Sequence, residues 1–175
     1  DDKGYDKRVI TRVGAERIAL YAFNYALKNG RRKVSCVDQS HLLFSDRLFR
    51  KGFEGISERY PDLEKEYVSV DVAAMLQVQR PEFFDVVVAP DIHGDILSGV
   101  VIGQTGGVGL APSACIGDGF AFFEPVHGMA LDIAGRGVAK PLASTLSAKL
   151  MLEWLGEREA ASKIGFWRLE GCVCY

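Results

Sequence analysis

The sequence predicts an α/β fold, because segments with helical periodicity alternate along the chain with short β-branched segments. The strongest helical pattern covers residues 14–28, where apolar side chains recur every three or four positions. The strongest strand pattern covers residues 83–89, an almost continuous run of Phe and Val that predicts a strand buried on both faces. The chain has 175 residues, 48% of them hydrophobic, enough for one ordinary domain or parts of two.

The remaining elements are predicted from weaker patterns and from residues that stop a helix. Asn29-Gly30 ends the first helix, and Pro61 ends the second. Residues 94–137 are rich in glycine, which predicts tight loops around short elements. The predicted strands are residues 33–37, 66–70 and 83–89, and the predicted helices are residues 14–28, 45–60, 72–78 and 142–155.

The composition disfavours several functional classes. The formal net charge is -2, so no global basic field attracts nucleic acid or an anionic membrane. No apolar run is long enough to span a bilayer, and the polar N-terminus lacks the core of a signal peptide. The four cysteines do not form the framework of a small secreted protein, and Cys36 is predicted to be a buried free thiol. We therefore expect a cytoplasmic protein without a nucleic acid or membrane partner.

The C-terminal tail allows fewer predictions. Phe166 and Trp167 are expected to pack back onto the body of the protein. Cys172 and Cys174 are too close in sequence for a favourable disulfide, and no second pair of ligands accompanies them to hold zinc.

Four aspartates, Asp71, Asp85, Asp91 and Asp95, form the first candidate site. The last two follow the predicted strand 83–89, at the end where α/β proteins place functional loops. Carboxylates from different elements are suitable ligands for a hard divalent cation. An aspartate after a strand is more often the N-cap of the next helix, however, so spacing alone favours capping over metal binding.

His127 is the second candidate, in a loop shaped by Pro125 and Gly128. A lone histidine in a loop is more often a surface or packing residue than a catalyst. Asp132 follows five residues later, a distance at which a carboxylate can meet the two hydroxyls of a ribose. Spacing alone does not establish that contact.

The glycine-rich run 103–109 matches neither the dinucleotide-binding nor the P-loop pattern, so a turn and packing role is predicted for it. His41 and His93 are interpreted as polar residues at strand ends. With Asp95 they could form a transition-metal site, but this interpretation is disfavoured, and no metal is assigned to them.

Several stretches together resemble the β-decarboxylating 2-hydroxyacid dehydrogenases, the isocitrate/isopropylmalate/homoisocitrate dehydrogenase family. The most specific begins with Glu124-Pro125-Val126-His127-Gly128 and is similar to the family's EPVHGSAPDIAGKGIANP. The resemblance implies an isopropylmalate-dehydrogenase-like fold that is present in part. Residues 1–98 would be the arm and dimerisation domain, and residues 99–175 the C-terminal part of the cofactor-binding domain. The matching stretches are residues 12–23, 84–88 with 94–98, 107–117 and 124–141.

The resemblance also implies a reaction. These enzymes oxidise a 3-carboxy-2-hydroxyacid of the isopropylmalate, isocitrate or homoisocitrate type by hydride transfer to NAD, and then release carbon dioxide. Mg²⁺ or Mn²⁺ acts as a Lewis acid on the bound hydroxy-dicarboxylate. A homodimer is implied, through helices around residues 72–78 and 95–105. The residues that choose the substrate lie in the family's upstream half, so the substrate is not predicted.

The resemblance carries the family's site residues onto this chain. The metal ligands correspond to Asp71, which serves the neighbouring subunit in the family dimer, and to Asp95. Asp132-Ile133 resembles the pair of NAD-dependent members, in which the carboxylate accepts ribose hydroxyls and repels a 2′-phosphate, so NAD is favoured over NADP. The residues that correspond to the cofactor loop are Glu124, His127, Gly128, Ala130, Asp132, Ile133 and Lys140.

Four positions depart from the family pattern. Gln39 occupies the place of the catalytic Lys, and Gln cannot transfer a proton as Lys does. His41 replaces an Asn, Gly99 replaces the third metal aspartate, and Lys140 replaces the Asn that contacts adenine. These departures keep an alternative open, namely a non-catalytic or regulatory nucleotide-binding relative or fragment of the family.

Overall fold

The structure is a computed structural model that describes residues 2–164, and its regular elements confirm the α/β class. The chain forms two compact units, Asp1–Leu97 and Ser98–Tyr175. The tail residues Phe166, Trp167, Cys172 and Cys174 lie outside the described residues. Within residues 2–164, no helix combines the length and the apolar character needed to cross a membrane.

The helices and strands alternate through the first unit, and a hairpin with two helices follows in the second. The helices are α1 Arg12–Lys28, α2 Phe44–Ser57, α3 Val70–Gln79, α4 Asp91–Gln104, α5 Leu142–Trp154 and α6 Arg158–Ile164. The strands are β1 Lys33–Asp38, β2 Glu64–Ser69, β3 Val86–Val88, β4 Pro112–Ile116 and β5 Ala121–Pro125. Single 3₁₀ turns cover Pro81–Phe83, Val108–Leu110 and Leu131–Ile133.

A three-stranded parallel sheet in the order β2-β1-β3 forms the centre of the first unit. Side chains of β1 alternate between its faces. Val34 and Cys36 pack with α1 and α2, whereas Val37 packs with residues of α3 and α4. Helices therefore cover both faces of the sheet, as a parallel sheet requires.

Aromatic side chains fill the core on the α1 and α2 side. The ring centroids of Phe23 and Phe53 are 5.1 Å apart, and Tyr60 stacks on Phe23 at 4.9 Å. Phe23 and Phe53 are completely buried. Burial of such large rings is a main source of stability in a unit of this size.

The prediction for residues 83–89 is wrong in extent. Phe83 belongs to a 3₁₀ turn, and β3 covers only Val86–Val88, of which Val86 and Val87 are half-buried. The strand is short and half-buried because it lies at the edge of the sheet: among the described residues, β3 pairs with β1 alone. The strand buried on both faces is β1, whose apolar run is shorter.

The prediction of loops from residue 94 onward is also wrong for its first part. The helix α4 runs through Gly94, Gly99 and Gly103, although glycine is a weak helix former. Burial of the apolar side chains Leu97 and Ile102 compensates for this low propensity. The loop begins at Thr105, and Gly106 and Gly107 have positive φ angles of 109° and 96°, which confirms a turn role for that end of the glycine run.

The second unit places an antiparallel hairpin, β4 and β5, against α5. The predicted helix 142–155 is confirmed within one residue. The Ser147 hydroxyl of α5 donates to the Glu124 carbonyl at 2.7 Å. The Val126 amide donates to the Ala111 carbonyl at 3.1 Å. These two bonds fix the end of β5, and so fix the start of the loop that follows it.

Candidate functional site

Three chain segments leave the carboxyl ends of the parallel strands at one edge of the sheet. Gln39 follows β1, Asp71 lies in the first turn of α3 after β2, and α4 follows β3. Functional residues of α/β proteins collect at this edge. The Gln39 Nε2 donates to Asp71 Oδ1 at 3.4 Å. The structure therefore brings together two of the residues that the sequence singled out.

Asp71 is fully exposed, and its pKa lies below the ordinary value. The main cause is a hydrogen bond from the Ser69 side chain, followed by the backbone amides of Asp71 and Val72 at the start of α3. Gln39 makes a smaller contribution in the same direction. These donors all favour the ionised carboxylate, so Asp71 is an anion at neutral pH.

The other aspartates divide between two places. Asp91 and Asp95 are exposed and lie inside α4, so the expectation that they are N-caps is wrong. Asp85 precedes β3 at the opposite edge of the sheet. Its carboxylate accepts from the Arg32 and Lys33 amides at 2.6 Å and 3.3 Å, which makes it a structural residue.

The residues that the resemblance assigns to a metal ion do not form a complete site within one chain. Among residues 2–164, no three His, Cys, Asp or Glu side chains are grouped closely enough to hold a metal ion. Mg²⁺ needs near-octahedral oxygen coordination, and Gly99 offers no carboxylate. The described residues of a single chain therefore do not fit a divalent cation.

Two buried carboxylates, which sequence reasoning missed, hold the loop that carries Gln39. The first is Asp38, which accepts two hydrogen bonds of 2.8 Å from the Arg50 guanidinium. It also accepts from the Ser40 amide at 2.9 Å and, more weakly, from the Cys36 thiol at 3.7 Å. Burial raises the pKa of Cys36 well above the ordinary value, and the nearby Asp38 adds to the effect. Cys36 is therefore a neutral, buried free thiol, as predicted.

The second buried carboxylate is Asp46 of α2, which is completely inaccessible. It accepts from the Gln39 amide at 2.8 Å, from His93 Nε2 at 2.8 Å and from Arg8 at 2.8 Å. His93 was interpreted as a residue at a strand end, but it lies in α4 and is buried. His41 lies in the turn after β1 and is exposed.

The loop after β5 contains the predicted cofactor residues in an irregular, exposed conformation. Ala130 has a left-handed φ of 48°, and the 3₁₀ turn Leu131–Ile133 follows it directly. The His127 Nδ1 lies 2.9 Å from the Gly128 carbonyl oxygen. A carbonyl only accepts, so Nδ1 carries the hydrogen, and in a neutral ring Nε2 remains an acceptor.

Apolar side chains of this loop are left uncovered within the second unit. Met129 and Leu131 are 83% and 73% exposed, and Val138 is also exposed. Asp132 lies among them with an exposed carboxylate. Lys140 comes close to the backbone at Gly109, where an added Cβ would lie 3.6 Å from the Lys140 Cβ. A carboxylate and an imidazole can form hydrogen bonds with a sugar or a heterocycle, and open apolar surface can pack against a flat ring.

Comparison with known proteins gives the same family that the residues suggested. The homoisocitrate dehydrogenase of Methanocaldococcus jannaschii is 47% identical over 165 residues, which cover 94% of this chain and 47% of that protein. An NADP-dependent isocitrate dehydrogenase of Rickettsia bellii is 42% identical over 90% of this chain and 33% of its own length. The crystal structure of isocitrate dehydrogenase from Methylococcus capsulatus superposes with a TM-score of 0.86 at 43% identity, covering 89% of this chain and 46% of that one.

The matches cover most of this chain but only part of each relative, because the chain spans about half the length, or less, of these relatives. The sequence model of the isocitrate/isopropylmalate dehydrogenase family matches residues 1–166, nearly the whole chain. The resemblance seen in the cofactor loop thus extends over both units. This chain belongs to the isocitrate/isopropylmalate dehydrogenase family.

Proposed function

We propose that the protein catalyses the NAD-dependent oxidative decarboxylation of a 3-carboxy-2-hydroxyacid, and that this chain supplies the adenosine side of the NAD site. The observation that carries the proposal is the loop after β5, where Asp132 lies exposed beside uncovered apolar side chains. Bound NAD would accept the hydride. The residues of this chain would hold and orient it.

The choice of NAD over NADP rests on Asp132. An exposed carboxylate accepts hydrogen bonds from the two hydroxyls of a ribose, but it repels a 2′-phosphate. Membership of the family does not decide between the cofactors, since the relative from Rickettsia bellii is an NADP enzyme. The free Nε2 of His127 is suited to accept a hydrogen bond from the adenine amino group. The 3₁₀ turn adds the backbone of Ile133, and the uncovered Val138 and Met129 add apolar contact.

A second candidate function is nucleotide binding without chemistry, as in a regulatory subunit. Gln39 favours it, because an amide donates a hydrogen bond to Asp71 but has no proton to exchange at neutral pH. Gly99 favours it as well, because it removes a carboxylate from the metal centre that the resemblance assigns to Asp71 and Asp95 with Mg²⁺ or Mn²⁺. Measurable turnover with any of the three family substrates would support the first function and exclude the second.

A homodimer through α3 and α4 is part of the proposal. Apolar side chains on these helices are exposed in the isolated chain, which is unfavourable unless another surface covers them. A second copy would also bring its own Asp71 to a site that one chain leaves incomplete. The exposed apolar residues are Val72, Met75, Val78, Ile92 and Ile96.

The variant Asp132→Ala is expected to weaken NAD binding by about 10-fold or more, because it removes a charged acceptor of ribose hydroxyls. The substitution is also expected to reduce the difference between the affinity for NAD and the affinity for NADP. Asp118→Ala, which removes an exposed carboxylate from the β4–β5 turn of the same unit, serves as the control and should leave NAD affinity unchanged. Isothermal titration calorimetry of the intact protein measures both effects. Equal affinities in the two variants would contradict the assignment of Asp132.

A further inference from the structure

We propose that Asp46 is a positioning residue that fixes the Gln39 loop and the first turn of α4 relative to each other. Its side chain is completely buried, so it is not placed to contact a bound substrate or cofactor directly. It acts through the two segments that carry Gln39 and Asp95, so the functional meaning of the inference rests on the proposed function.

The geometry of the Asp46 carboxylate carries the inference. One oxygen, Oδ2, accepts both from the Gln39 amide and from His93 Nε2, each at 2.8 Å. The other oxygen accepts from Arg8 Nη1 at 2.8 Å. A single buried atom thus joins the loop after β1 to α4, two segments that lie more than fifty residues apart in sequence.

Charge explains why these contacts resist separation. Asp46 is completely buried, and a buried carboxylate is tolerated only when charged and hydrogen-bonding partners surround it. Arg8 supplies the opposite charge. The Gln39 amide, His93 and, at 3.3 Å, the Ser45 hydroxyl supply the other hydrogen bonds to the carboxylate. If either segment moved away, the carboxylate would lose a partner that water cannot easily replace.

The helix α4 is oriented by the same contact. His93 and Leu97 are one turn apart and both buried, one against Asp46 and the other in the apolar cluster around Val37. Asp95 lies between them in sequence and is exposed. Because a polar and an apolar anchor fix one face of the helix, the rotation of α4 and the direction of Asp95 are set by these two residues.

Asp38 provides a natural comparison. It accepts from the Ser40 amide next to Gln39, and Arg50 of α2 neutralises it. The hydrogen bonds of Asp38 involve Cys36 in β1, the Ser40 amide in the loop after β1, and Arg50 in α2. Loss of Asp38 should therefore loosen the loop after β1 alone, whereas loss of Asp46 should loosen the loop and α4 together.

Hydrogen exchange of backbone amides in the intact protein tests the coupling. In Asp46→Asn, exchange is expected to become about 10-fold to 100-fold faster both at Gln39 and in residues 94–97, the first hydrogen-bonded amides of α4, a factor that loss of a charged hydrogen bond implies. In Asp38→Asn, the increase should be confined to the loop after β1. Faster exchange at only one segment in Asp46→Asn, or a uniform rise that includes α1, would overturn the proposal.

Two substitutions of His93 keep the test decisive even if Asp46→Asn fails to fold. His93→Gln retains a side-chain N–H for Asp46, whereas His93→Phe retains the flat shape and loses the donor. Amide exchange in residues 94–97 should stay as slow as in the wild type in the first variant and accelerate in the second. If both variants exchange like the wild type, the contact with Asp46 does not position α4, and the proposal fails.

The nuclear magnetic resonance signal of the Gln39 side-chain amide gives a readout that general destabilisation would not produce. This signal is assigned by its absence from the spectrum of Gln39→Ala. In folded Asp46→Asn, its chemical shift should move toward that of a free glutamine, because the loop no longer holds Gln39 against Asp71. These measurements need no cofactor, so failure of NAD binding would overturn the proposed function and leave this inference standing.

Discussion

The double variant Gln39→Lys/Gly99→Asp is expected to reduce NAD at least about 100-fold faster than the wild type. A positioned general acid–base residue typically contributes a factor of about 10² to 10⁴ in rate. Lys at position 39 restores such a group at the carboxyl edge of the sheet. Asp at position 99 adds a carboxylate one turn after Asp95 in α4.

The structure has room for both side chains. No atom lies within 4 Å of a Cβ added at Gly99, and the position is exposed. Gln39 already reaches the Asp71 carboxylate, so a Lys ammonium at this position would meet an ionised partner. The variant should therefore fold as the wild type does.

The control is Gln39→Lys/Gly103→Asp, which introduces the same two charges but places the carboxylate one turn further along α4. No atom lies within 4 Å of a Cβ added at Gly103, as at Gly99. Steady-state NAD reduction is measured with isocitrate, isopropylmalate and homoisocitrate in turn. A rate in the double variant no higher than in this control would refute the metal role of position 99. Activity that appears only in the restored variant would favour the non-catalytic candidate for the natural sequence.

The variant Gly52→Leu is expected to lower the free energy of unfolding by roughly 2–3 kcal/mol, the usual cost of overpacking a filled core. Gly52 lies in α2 where that helix meets α1, and an added Cβ would lie 2.7 Å from the Ala15 Cβ and 3.3 Å from backbone atoms of Ala15 and Glu16. Backbone atoms cannot rotate away as a side chain can. The two helices would have to separate, which opens the aromatic core behind them.

The control for this stability prediction is Gly55→Leu on the same helix. Gly55 is exposed and has no atom within 4 Å of an added Cβ. Replacement of a helical glycine by a better helix former at such a position stabilises by about 1 kcal/mol. Urea unfolding of both variants should therefore move the midpoint in opposite directions, and a shared direction would contradict the close approach of α1 and α2.

Local sequence patterns predicted those helices and strands whose burial in the fold follows the apolar pattern of their own sequence. The apolar periodicity of α1 and α5 was predictable without distant contacts, because one face of each helix faces the core. The apolar run of β1 was predictable as well, because both faces of that strand are covered. The patterns failed for β3 and α4. The short β3 depends on its pairing with β1 alone among the described residues, and the glycines of α4 are outweighed by burial of Leu97.

The candidate site was predictable only where its residues are close in sequence. The loop from Glu124 to Lys140 is one continuous motif, so the resemblance could carry each of its positions. The Asp46 cluster combines Arg8, Gln39 and His93 from separate segments, and no spacing rule connects them. In the sequence, Asp46 is recognisable only as an aspartate in the first turn of a helix. Such a residue is ordinarily explained by its favourable interaction with the helix dipole.

The most direct test of the central claim is calorimetric titration of the intact protein with NAD and, separately, with NADP. The exposed carboxylate of Asp132 and the open apolar surface beside it predict that NAD binds, and that it binds more tightly than NADP at the same salt concentration. Absence of binding by either nucleotide, or tighter binding of NADP, would contradict the assignment of this loop as the adenosine side of an NAD site.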